Sequence, residues 1–206
     1  MVFRYGFELE CYYNDIGTIT IPPVEYPHDG MVGIVELRTN KHHTLEDAYF
    51  GVIKEALLLD FEKLSFISEH TFTPQERREL RKRNTVKTPC SIESLYDYKP
   101  KALGNKTIAS LQINISNLIQ MSHTDSKGSF HPDTFGILDV PKIVKNLDTV
   151  FASEIKAARR QKGEYCIKGN RLEYRSLPNY VFTFNTKGIK VLLEKIRTAV
   201  EIDFGV

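Results

Sequence analysis

The sequence predicts an α+β fold in which helices cover one face of a sheet and the other face lines a cleft. Three observations carry this expectation. Strand-like stretches alternate polar with apolar side chains at residues 7–10 (FELE), 35–38 (VELR), 111–116 (LQINIS) and 172–175 (LEYR). Three longer stretches carry apolar residues at helical spacing instead. The chain, at 206 residues, is long enough to bury a substantial core as one domain spanning 1–206.

The elements follow in order. Residues 2–13 read as a strand with Glu8 and Glu10 on one face and Phe7, Leu9 and Cys11 on the other. Three prolines and two glycines between Asn14 and Gly30 predict a loop or short hairpin. Residues 31–38 form a second strand. Thr44 followed by Asp47 is an N-cap signal, and apolar positions 45, 48, 49, 52, 53, 56, 57 and 59 predict a helix to about 63. A basic stretch at 74–83 reads as a surface helix within a basic segment or lid at about 70–105. Residues 107–116 alternate, with Ile108, Ser110, Gln112, Asn114 and Ser116 on one face and Leu111, Ile113 and Ile115 on the other. A polar loop is expected at 120–135, then a helix from Pro141 to about Arg160 packing through Ile143, Val144, Leu147, Val150, Phe151 and Ile155. Gly163 and a loop precede a strand at 171–177. The final helix, 186–201, presents Ile189, Val191, Leu192, Ile196 and Val200.

Composition excludes several classes. A net charge of +2 is too mild to argue for nucleic acid. The basic run at 76–87 reads as a solvated helix rather than a polyanion site. No apolar run approaches the roughly 18 residues a membrane span needs, and no leader-like apolar segment opens the chain. Cysteines 11, 90 and 166 fit neither a disulfide framework nor a zinc cluster, so buried thiols in a reducing cytosol are expected. The six histidines show no H-x-x-x-H pair, and no P-loop is present.

Side chains at i and i+2 of a strand lie about 6.6 Å apart and point the same way. Two carboxylates so held repel each other unless a cation stands between them. Magnesium takes oxygen ligands and commonly reaches a protein through one or two carboxylates plus substrate phosphates. Glu8 and Glu10 suit that role. Glu36 with Arg38, and Glu173 with Arg175, set an acid beside a guanidinium able to grip a phosphoryl oxygen. A solvated sheet face with same-strand ion pairs is the plainer reading of each pair taken alone.

Four places carry a resemblance: YGFELE at 5–10, HDGMVGIVELRT at 28–39, LQINIS at 111–116 and ARRQKGEYCIKGNRLEYRSLPN at 158–179. Together they resemble the glutamine synthetase and glutamate–cysteine ligase superfamily, and most of all its compact phage-type amidoligases (COOH–NH2 ligases). The resemblance implies a curved, mostly antiparallel sheet whose concave face binds ATP and Mg2+, as in a glutamine synthetase catalytic domain. It implies ATP-dependent amide formation between a carboxylate substrate and an amine acceptor (a small molecule, peptide or protein) through an acyl phosphate, in a phage-encoded or phage-derived protein of the host cytoplasm. On this chain it implies Glu8, Glu10, Glu36 and Glu173 as metal ligands. Glu36, Arg160 and Arg175 become catalytic, and Arg38, Gln112, Asn114 and Arg159 contact the nucleotide or cofactor. Gln112 and Asn114 depart from the imidazoles common on that strand; each still offers a carbonyl oxygen but cannot act as a base. Two alternatives stand beside the ligase: phosphorylation without ligation, and a non-catalytic nucleotide-binding or structural relative.

Overall fold

A computed structural model describes residues 3–29, 33–39, 44–83, 92–96, 106–117, 119–124, 130–135, 139–168 and 171–201. The first half comprises β1 (Phe3–Asp15), β2 (Thr18–Thr20), β3 (His28–Asp29), β4 (Ile34–Arg38), α1 (Leu45–Leu58), β5 (Leu64–Ser65), β6 (Glu69–Thr71), α2 (Pro74–Lys82) and β7 (Glu93–Ser94). It continues with β8 (Lys106–Ile108), β9 (Ser110–Asn117), β10 (Ile119–Thr124), β11 (Phe130–Phe135), α3 (Val140–Val150), α4 (Ala152–Ala157), β12 (Glu164–Lys168), β13 (Arg171–Pro178) and α5 (Thr186–Val200). The main sheet runs β3-β4-β1-β9-β13-β12-β7, with β2 and β5 paired to the far end of β1. Its strand pairs are antiparallel. The fold is α+β, with an open sheet rather than a closed barrel.

Alternation decides which face the helices cover. Phe7 and Leu9 of β1, Leu111, Ile113 and Ile115 of β9, and Leu172 and Tyr174 of β13 form one apolar face. Against it pack Ala48, Tyr49 and Val52 of α1, Ile143 and Leu147 of α3, and Leu192 and Ile196 of α5. Each buried Leu or Ile contributes about 1.5–3 kcal/mol relative to exposure. Thr44 caps α1 by accepting from the Asp47 amide, as the sequence suggests. No helix among the described residues is long and apolar enough to cross a membrane.

The structure corrects several expectations. Where a polar loop is expected at 120–135, the strands β10 and β11 pair antiparallel from Ile119↔Phe135 to Thr124↔Phe130; Pro132 and the many polar residues of this stretch read as a loop. The loop expected after Gly163 is the strand β12, bonded to both β13 and β7. Gly163 itself, at φ +71°, lies where a Cβ would meet the Tyr96 ring at 2.7 Å. The helix expected to run through 160 breaks at Phe151, whose angles leave the helical range while its ring stays buried. On α5, Val191 is half exposed and Leu193 is buried in its place, because the stripe centres on Leu192, Ile196 and Val200. Cys11 is a buried free thiol, but Cys166 is disulfide-bonded, against the expectation of reduced thiols throughout. Cys90 and most of the basic segment beyond Arg83 lie outside the described residues.

Candidate functional site

The register assembles the polar face. Glu8 stands opposite Arg38 of β4 and Gln112 of β9, and Glu10 stands opposite Glu36. Asn114 lies between Gly6 of β1 and Glu173 of β13. Antiparallel partners share a face, so four adjacent strands set Glu36, Glu8, Glu10, Gln112, Asn114 and Glu173 in one row. Most of this row is shielded: Glu8 is 6% exposed, Gln112 and Asn114 2%, and Glu173 0%.

Hydrogen bonds tie the row together. Glu10 accepts from the Ser110 amide and hydroxyl, both at 2.7 Å, and from Gln112 Nε2 at 2.7 Å. Gln112 Oε1 accepts in turn from Arg175 Nη1 at 3.0 Å, so one amide links an acid to a guanidinium across two strand gaps. Asn114 Nδ2 donates to Glu8 at 3.1 Å, while its buried Oδ1 has no partner. Glu173 is clasped by Arg175 on one oxygen and by Lys168 of β12 on the other. Arg38 pairs with Glu36 at 3.4 Å and stays about half exposed.

Charge crowding shows in the acids. Burial, then the neighbouring Glu8 carboxylate, pushes the Glu36 carboxyl up to about 7, with Arg38 pulling the other way. The Glu10 carboxyl is raised by burial, against the opposing effects of Ser110 and Arg175.

The two arginines expected to reach phosphates behave differently. Arg159 is exposed, at φ 54°, just past the end of α4, and lies off the row. Its amide bonds back to Lys156 and that of Arg160 to Ile155, a C-terminal cap usually built on glycine. The Arg160 side chain turns inward, but its Nε and Nη2 donate to the carbonyls of Ser176 at 3.1 Å and Arg175 at 2.7 Å. Those carbonyls belong to the irregularity in β13 between Tyr174 and Leu177. Arg160 therefore holds the backbone that carries Arg175. The sequence gives no signal for Lys168, because Gly163 before its strand predicts a loop, nor for Ser110, because a serine on an alternating strand carries no chemical signal.

Among the described residues no three His, Cys, Asp or Glu side chains gather around one metal-binding point. The donors fit an ion that takes one or two carboxylates, an amide oxygen and ligand or water oxygens, the habit of Mg2+. Glu8 and Glu36 supply a repelling carboxylate pair that a cation would relieve, and Asn114 Oδ1 supplies an unpartnered buried oxygen. No family model matches the chain, and neither do curated proteins or solved structures.

Proposed function

We propose that the protein is an ATP- and Mg2+-dependent carboxylate–amine ligase working on the polar face of its sheet. The observation that supports this best is the register that sets Glu36, Glu8, Glu10, Gln112, Asn114 and Glu173 side by side, with Arg38 and Arg175 at their flanks. Phosphoryl transfer asks chiefly for positioning and charge neutralisation, which such a row provides. Glu8, Glu36 and Asn114 would hold Mg2+, which when bound offsets the negative charge of the phosphates. A carboxylate oxygen attacks the γ-phosphorus and ADP leaves, giving an acyl phosphate. The amine then attacks the carbonyl carbon, phosphate departs, and the amine loses a proton. Arg175, held between Gln112 and Glu173, is oriented to grip the transferred oxygens; Gln112 keeps it aimed.

A second reading, binding without turnover, has one observation in its favour. Lys168 and Arg175 already neutralise Glu173, and the row contains no imidazole to move a proton.

Calorimetric titration with ATP, with and without Mg2+, tests the ligase reading. Saturable binding only with Mg2+, weakened about tenfold or more in Glu36→Gln, supports it; magnesium-independent binding, or none, removes it. Amide-forming turnover, seen as ADP release that requires both a carboxylate and an amine, separates it from the binding-only reading. Glu36→Gln is a cleaner variant than Glu173→Gln, which strips a fully buried acid from three cations, Lys168, Arg171 and Arg175, and destabilises the fold.

A further inference from the structure

Helix α2 is fixed firmly beside the acidic row. A capping box joins Thr73 and Glu76, and Pro74 occupies the first turn. Leu80 packs with Phe72, Tyr12, Ile34 and Ala109. Both press on Gly33, where a Cβ would come within 3.0 Å of the Leu80 and Phe72 side chains. Arg83 anchors the far end by donating to the Pro22 carbonyl at 2.7 Å. Tyr12 follows Glu10 by two residues on β1, and Ile34 precedes Glu36 by two on β4. The inner side of α2 therefore abuts the Glu10/Glu36 end of the row.

Arg77 precedes Leu80 by three residues and so shares its side of the helix. Arg78, Arg81 and Lys82 are exposed, whereas Arg77 is not. Its Nε and Nη2 are both shielded from water, and neither has a hydrogen-bond partner. These two nitrogens form the side edge of the guanidinium, whose parallel N–H bonds match two oxygens of a carboxylate or phosphate. Leaving buried donors of a cation unpaired is costly, and nothing in the packing of α2 requires an arginine there.

We infer that Arg77 is an oxyanion-binding residue, whose unpaired guanidinium edge on α2 takes a phosphoryl or carboxylate group of a small ligand. The inference adds a ligand contact to the ligase reading but stands without it, since the guanidinium edge alone specifies the chemistry. A bare halide lacks the paired oxygens.

The test is thermal unfolding at constant ionic strength with inorganic phosphate, magnesium pyrophosphate, glutarate or chloride. It uses the wild type, Arg77→Met, Arg77→Lys and the surface control Arg81→Ala. The wild type and Arg81→Ala should be stabilised saturably by at least one of the three oxyanions and not by chloride. Response to the phosphates or to glutarate identifies the group bound. Arg77→Met keeps the aliphatic stem; it should be no less stable than the wild type in chloride and should bind the oxyanion about tenfold more weakly or worse. Arg77→Lys, with charge but no fork, should fall between. Equal oxyanion responses in wild type and Arg77→Met, no saturable response in the wild type, or loss of stability by Arg77→Met in chloride would each overturn the inference. Mg2+-ATP binding unchanged by Arg77→Met leaves the ligase reading standing without this contact. Arg77-dependent glutarate binding in a protein that ignores ATP does the reverse.

Discussion

Glu36 carries a carboxyl whose proton is held to about neutral pH, because burial and the Glu8 carboxylate both oppose its charge. An acid whose pKa is higher folded than unfolded binds its proton more tightly in the native state. Its contribution is fully present below the unfolded value of about 4.3 and is lost as pH rises through about 7. The metal-free protein should therefore lose about 2 kcal/mol between pH 5.5 and pH 8 from this group. Urea titrations across that range measure it, and Glu36→Gln should lack this component. If wild type and Glu36→Gln show the same slope, Glu36 is not the group that titrates. At this scale the sequence was informative: the i, i+2 spacing put Glu8, Glu10, Glu36 and Glu173 on strand faces. It could not show that Lys168 of β12 also reaches Glu173, since that depends on cross-strand register.

The irregular junctions decide what each element presents. At the end of α4, Arg159 adopts a left-handed conformation that suits glycine, and its side chain lies exposed. Arg159→Gly should raise stability by up to about 1 kcal/mol, read as a higher melting temperature. A loss of stability would mean that its side chain makes a contact of consequence. The neighbouring Arg160 shows what the sequence leaves open. Two adjacent arginines look alike until the cap geometry turns one outward and lends the other to the β13 backbone. The strands with alternating faces, and helices α1, α2 and α5, were legible because their periodicity is strong. Strand β12 and the β10–β11 pair were not. A preceding glycine suggested a loop for the first, and polar side chains hid the second.

Across the whole molecule, the long strand β1 is the hub. It bonds to β4, β9, β2 and β5, and Asn179 adds a hydrogen bond to the Glu10 carbonyl at 3.1 Å. The helices that cover its apolar face come from both ends of the chain order, α1 early and α3 and α5 late. A fragment ending at residue 138 lacks the last two of these and the strands β12 and β13, so it should show no cooperative unfolding transition. A sharp transition in that fragment would mean that the first half forms a separate folding unit. The same layout matters while the protein is being made. Phe7 and Leu9 leave the ribosome early, yet their partners Ile113 and Leu111 are about a hundred residues behind. At translation rates of roughly 5–20 residues per second, that is a wait of about 5–20 seconds. During it this long strand lacks β9, the partner of its whole first half. Codon choice and chaperone supply over that interval thus bear on yield more directly than the stability of the finished sheet.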